Sequence, residues 1–190
     1  RAPFGGDAAN ITIVENAGNE KVYYEFHQDG SQRKCLVIPD GAFRNPMTVE
    51  QIQNQIVRMP LTGVVMDGST VFNFAQKEVP ILVDSLTKMA ETTKEDIDWF
   101  LFHQPNKFML QKLAERIGVP FEKMPMDIVE KFGNSNSATI PTAITADLKE
   151  EMLNKESLCC LAGFGAGVAW AGIIMKMGNM DFCDTIISDL

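Results

Sequence analysis

Apolar residues along this chain recur in two different periods. WFLFH at residues 99–103 and SLCCLAGF at 157–164 are apolar runs with almost no alternation. Runs of that length fit strands buried on both faces, as in a sheet covered by helices. VAWAGIIM at 168–175 is a third such run, set off by Gly165-Ala166-Gly167. Elsewhere the helical period dominates. Val71, Phe72, Phe74, Ala75, Val79, Ile81, Leu82, Leu86 and Met89 share a broad apolar face and predict a helix from about Ser69 to Glu91. Residues 106–117 predict a second helix, with Gly118 as its natural stop, and residues 138–153 a third. Thr48, with Glu50 close behind, marks the start of a helix over 48–58.

The N-terminal stretch alternates instead. AANITIVE at 8–15 and KVYYEFH at 21–27 flank Asn16-Ala17-Gly18-Asn19 and predict a β-hairpin. Residues 28–47 read as a loop around a short strand, CLVI, and FCDTIIS near the C-terminus as one more edge strand. Helices alternating with buried strands predict an α/β layered fold in which helices cover a largely apolar sheet.

Composition narrows the function classes. Of 190 residues, 45% are hydrophobic and 22% charged, and the formal net charge is -8. An acidic chain without a Lys/Arg run makes nucleic acid an unsuitable partner. No stretch approaches the ~18 apolar residues of a membrane span, and no signal peptide is visible. The four cysteines, Cys35, Cys159, Cys160 and Cys183, lack the spacing of a zinc or redox pair. They read as small buried thiols of a reducing compartment, which implies a cytoplasmic protein with no metal site. The first residue is Arg1, which raises the expectation of a fragment.

Three short motifs carry candidate chemistry. His103, one of only two histidines, ends an apolar strand and is followed by Gln104-Pro105-Asn106 and a helix. In α/β folds ligands bind outside such strand ends, although a core histidine bonded to backbone fits the position equally well. FGNSNSATIP at 132–141 sets Asn134 beside a helix start, as an amide donor or as a plain turn residue. GFGAGVAW at 163–170 makes a glycine corner whose backbone N–H at Ala166 suits an oxyanion, or simply a tight hairpin. Together the three fit carbon–carbon bond chemistry on a thioester.

In order and spacing, MDGSTVFNFA at 66–75, DIDWFLFHQPN at 96–106, FGNSNSATIP and GFGAGVAW resemble the C-terminal half of β-ketoacyl-acyl-carrier-protein synthase III. GGDAANITIVE at 5–15 resembles the end of that family's N-terminal half. The resemblance implies a thiolase-like layered fold, with helices packed on a mixed five-stranded sheet. It divides the chain into an N-terminal remnant, residues 1–45, and a C-terminal domain, residues 46–190. It implies a decarboxylative Claisen condensation of an acyl thioester with malonyl-acyl-carrier protein, in fatty-acid-type biosynthesis. His103 and Asn134 match the family's catalytic histidine and asparagine, and Ala166 its oxyanion N–H. Met66, Gly68, Phe72, Asn106 and Lys107 match positions along the pantetheine tunnel, and Phe164 an acyl-pocket wall. No cofactor is implied: coenzyme A and carrier-protein phosphopantetheine thioesters are substrates. The implied partners are acyl carrier protein, an N-terminal half that holds the nucleophile, and a second copy in a homodimer.

Two departures matter. The family's nucleophile is a cysteine opening a helix, and none of the four cysteines here has that context, so the chain alone is expected to be inactive. Many relatives carry an arginine where this chain has Phe108, beside Lys107, which points to a substrate on a carrier protein or an unusual coenzyme A thioester over acetyl-coenzyme A. Lys107, Lys112 and Arg116 are candidates for a basic docking face, and an ordinary solvated helix face fits them equally well. A non-catalytic thiolase-like subunit and a polyketide-type synthase are the alternatives.

Overall fold

A computed structural model describes residues 5–15, 20–39, 43, 45–50, 52–53 and 64–188. The first strand, β1 (Tyr23–Gln28), is followed by two short ones, β2 (Leu36–Val37) and β3 (Val65–Met66). Helix α1 (Gly68–Met89) leads to β4 (Trp99–Phe102), and α2 (Lys107–Ile117) follows. Three more helices, α3 (Ile128–Phe132), α4 (Thr139–Asp147) and α5 (Lys149–Asn154), precede the hairpin β5 (Glu156–Gly165) and β6 (Ala169–Gly178). Among the described residues the main sheet has four strands in the order β1-β6-β5-β4, one fewer than expected, and β2 and β3 form a separate pair. The sheet is mixed: β4 runs parallel to β5, whereas β5 with β6 and β6 with β1 are antiparallel.

Strand alternation divides the core in two. On β4, Phe100 and Phe102 face the cluster built by α1 and α2, while Leu101 faces the α4 and α5 side. On β5, Cys160, Ala162 and Phe164 take the first face and Cys159 the second. Both faces are buried, so the strands need no polar positions and the sequence runs apolar. Gly172 on β6 lets α1 approach closely, because a Cβ there would stand 2.6 Å from the Leu86 side chain.

Helix ends follow local chemistry. The Asp67 carboxylate accepts the N–H groups of Ser69 and Thr70, each at 3.1 Å, and caps α1. Asn106 caps α2 by accepting the Met109 N–H at 2.8 Å, and Gly118, with φ of 81°, closes it. The expected helix over 138–153 breaks at Leu148, whose φ of -122° leaves the helical region. Ile144, Leu148 and Met152 all enter the outer core. Spaced four apart on a straight helix they would drift by roughly 40° per step, and the break at Leu148 falls midway between Ile144 and Met152.

Three further expectations change. Residues 8–15 pair with no strand among the described residues, and Ile11, Ile13 and Val14 stand exposed at 87%, 65% and 86%. The second half of the expected hairpin is β1, which pairs with β6, so the sheet crosses the boundary drawn at residue 45. The C-terminal FCDTIIS forms no strand: it lies along α4 and α5, with Cys183 buried and Lys149 bonded to Asp184 at 3.0 Å. The turn at 16–19 and most of the helix expected over 48–58 lie outside the described residues.

Candidate active site

The site forms at the C-terminal end of β4. The N–H of His103 still donates to the Ala162 carbonyl at 2.8 Å, so β5 fixes its backbone even where the strand ends. Its imidazole Nδ1 lies 2.8 Å from the Thr139 hydroxyl at the start of α4. Thr139 is fully buried, accepts the Gln104 N–H at 3.2 Å and donates to the Asn136 carbonyl at 2.9 Å. The Asn136 N–H in turn donates to the Asn134 Oδ1 at 2.9 Å. One hydrogen-bonded chain therefore links His103 to Asn134 through two residues of the same turn. With its Oδ1 occupied, Asn134 has its Nδ2 left as a donor, unbonded among the described residues.

Glycines build that turn. Gly133 has φ of 75°, and a Cβ on Gly6 would stand 1.9 Å from the Phe132 carbonyl oxygen. Gly6 donates its N–H to the Asn134 carbonyl at 3.0 Å, and Asn10 Nδ2 donates to the Ala138 carbonyl at 3.3 Å. The N-terminal segment thus lies across the turn that carries Asn134.

Phe164 borders the imidazole edge-on, with ring centroids 5.6 Å apart. It also lines a hollow of about 600 Å³ together with Phe26, Gln28, Ala169 and Trp170. Burial pushes the His103 pKa below the ordinary 6.5, opposed by the nearby Asn136 carbonyl. The neutral imidazole is the resting form at pH 7. Ala166 lies exposed in the turn between β5 and β6. The next residues tie this turn to β1, since Val168 and Asp29 exchange backbone hydrogen bonds of 2.8 and 3.1 Å.

The remaining predicted residues lie on β3 and along α1 and α2. Met66 ends β3, and Gly68 opens α1. Phe72 stacks on Phe108 with centroids 5.9 Å apart, and Gln76 joins the two helices through the Met109 carbonyl at 3.2 Å. Lys107 is engaged already: its ammonium lies 2.7 Å from Asp127 and 3.6 Å from Glu130. Lys112 likewise pairs with Glu115 at 2.6 Å. Two of the three cations proposed as a docking face thus have carboxylate partners.

All four cysteines are free and buried. Burial drives the thiols of Cys159 and Cys160 up to about 12, far from the low values of reactive thiolates. Among the described residues no group of three or more His, Cys, Asp or Glu side chains is placed to hold a metal, and no helix is long and apolar enough to cross a membrane. Sequence reasoning missed Thr139, which looks like an ordinary small residue opening a helix, and Gln104, whose buried amide donates to the carbonyls of Phe102 and Pro125 at 3.0 and 2.9 Å.

Residues 87–177 match the family model described as 3-oxoacyl-[acyl-carrier-protein] synthase III C terminal. A β-ketoacyl-[acyl-carrier-protein] synthase III of Synechocystis sp. is 31% identical over 91% of this chain and 51% of its own length. The crystal structure of a 3-oxoacyl-(acyl-carrier protein) synthase from Burkholderia xenovorans superposes with a TM-score of 0.79 at 33% identity, over 91% of this chain and 49% of that one. The priming β-ketosynthase of the R1128 polyketide pathway superposes with a TM-score of 0.64 at 26% identity, over 84% of this chain and 45% of that one. The chain spans about half the length of the curated relatives it matches. In sequence and in fold the chain is similar to the C-terminal half of β-ketoacyl-acyl-carrier-protein synthase III.

Proposed function

We propose that this chain supplies the malonyl-binding half of a condensing enzyme that joins an acyl thioester to malonyl-acyl-carrier protein with loss of carbon dioxide. The observation that carries the reading is the hydrogen-bonded chain from His103 through Thr139 and Asn136 to Asn134. It ties the imidazole at the end of β4 to the turn that carries the Asn134 amide, and Phe164 borders the imidazole. In this reading Asn134 and His103 hold the malonyl thioester and assist decarboxylation, and the Ala166 N–H receives the acyl oxyanion. Met66, Gly68, Phe72, Asn106 and Lys107 line the path of the pantetheine arm.

The acyl group is carried by a cysteine that belongs to the other half of the enzyme. The high pKa values of Cys159 and Cys160 support this division, because a buried thiol neither ionises nor meets substrate. The complete enzyme works in the cytoplasm as a homodimer, takes coenzyme A or carrier-protein thioesters as substrates and needs no further cofactor.

Intact-mass measurement after incubation with an acyl-coenzyme A tests the division of labour. The 21.1 kDa chain alone is expected to gain no acyl mass. Together with a cysteine-bearing N-terminal half, that half gains the acyl group, and the pair then releases carbon dioxide from malonyl-acyl-carrier protein. An acyl adduct on the 21.1 kDa chain overturns the assignment of the nucleophile. An assembled pair that never decarboxylates malonyl-acyl-carrier protein overturns the function. Within the pair, Asn134→Ala should lower turnover by about 10²–10³, as loss of one preorganised donor does.

A further inference from the structure

Gln104 is fully buried and bonds to oxygens from three parts of the fold. Its Nε2 donates to the Phe102 carbonyl at 3.0 Å and to the Pro125 carbonyl at 2.9 Å. Both oxygens are acceptors only, so the group between them must donate twice, as an amide NH2 does. Its backbone N–H donates to the Thr139 hydroxyl at 3.2 Å. The first bond is local and ties the side chain to the end of β4. The other two fall at opposite ends of one segment, residues 125–139, which carries α3 and the Asn134 turn. Met124 and Met126, on either side of Pro125, are buried in the cluster built by α1 and α2, so the first end of that segment is anchored. The neighbour of His103 in sequence therefore grips the Asn134 segment both before and after the asparagine.

We propose that Gln104 is a positioning residue that sets the separation of the His103 imidazole and the Asn134 amide. This rests on the proposed function, in which those two side chains act together on the malonyl thioester. Two groups that act on one thioester work only at a fixed spacing, and a misplacement of about 1 Å costs roughly 100-fold in rate. Acylation of the cysteine on the other half, which uses the Ala166 N–H in that reading, does not depend on this spacing.

Gln104→Met keeps a side chain of similar size and removes both amide donors. In the pair formed with a cysteine-bearing N-terminal half, it should slow release of carbon dioxide from malonyl-acyl-carrier protein by roughly 10–100-fold. The rate of cysteine acylation should stay the same. Combination with Asn134→Ala separates placement from general damage. A residue that acts by placing Asn134 loses most of its effect once that amide is gone, whereas a merely structural defect multiplies the loss. A folded Gln104→Met pair with unchanged decarboxylation overturns the proposal. So do equal losses in acylation and decarboxylation, or a loss that persists in full on the Asn134→Ala background. Should Gln104→Met fail to fold, Gln104→Asn, which keeps the amide but is shorter by one methylene, goes through the same cycle and is judged by the same outcomes. An unaltered pair that never decarboxylates overturns the function itself, and this proposal with it.

Discussion

The N–H of Gly6 donates to the carbonyl of Asn134 at 3.0 Å, so a residue near the start of the chain holds the amide proposed to bind substrate. No side chain fits between them: a Cβ on Gly6 would lie 1.9 Å from the Phe132 carbonyl oxygen. Gly6→Ala should therefore lift the N-terminal segment off the turn. The expected cost is about 1–3 kcal/mol, the range for forced overpacking. Thermal melting should show a lower Tm, and hydrogen exchange should show faster exchange at Asn136. Gly30→Ala serves as the control, since a Cβ there meets nothing within 4 Å.

The buried imidazole makes stability depend on pH. Burial lowers the His103 pKa below 6.5, so the unfolded chain takes up a proton at higher pH than the native one. Stability is therefore full above pH 6.5, falls as pH drops below it, and levels off below the native pKa. Urea midpoints measured from pH 7.5 to 5 should decline, and His103→Gln should flatten the part of the decline that begins near 6.5. An identical slope in both proteins would assign the dependence to other groups.

Much of this scaffold is legible in the sequence because burial on both faces writes itself as continuous apolar runs. β4 and β5 are found that way, and α1 and α2 by their apolar stripes. Asn106 and Gly118 bracket α2 because cap chemistry is local. The partner of β1 is not local. Residues 8–15 and 21–27 alternate like a hairpin, yet β1 takes its hydrogen bonds from β6, nearly the whole chain away. Pairing across that distance is set by the assembled sheet, which a window of residues cannot contain. The break at Leu148 is hidden because residues 138–153 hold no glycine, and the one proline, Pro141, sits in the first turn. His103 and Asn134 stand out by residue type, whereas Thr139 gains its meaning only from the three groups around its oxygen.

Thiol reactivity separates the buried cysteines from a nucleophile. Cys159 and Cys160 lie at 0% exposure, with their thiols pushed up to about 12. Native protein treated with iodoacetamide near pH 7.5 should stay unmodified at both over hours, and all four cysteines should react once urea unfolds the chain. Rapid native alkylation at Cys159 or Cys160, located by peptide mass, would contradict the buried placement.

Lys107 offers the sharpest contrast between sequence and structure. The proposed function sets it on the substrate path, but its ammonium already faces Asp127 at 2.7 Å and Glu130 at 3.6 Å. In that reading a phosphate-bearing thioester competes with both carboxylates for this cation. Exposed pairs of this kind are weak in water, so the competition is mild and tunable. Asp127→Asn should release Lys107, lower the KM for a coenzyme A thioester by roughly two- to fivefold, and steepen its salt dependence. Turnover at saturation should stay the same, because neither carboxylate reaches the reacting atoms in this reading. Lys107→Gln in the same background should cancel the gain. If Asp127→Asn leaves KM unchanged while Lys107→Gln raises it, the pair does not gate phosphate access, and Lys107 acts on substrate without release from its carboxylates.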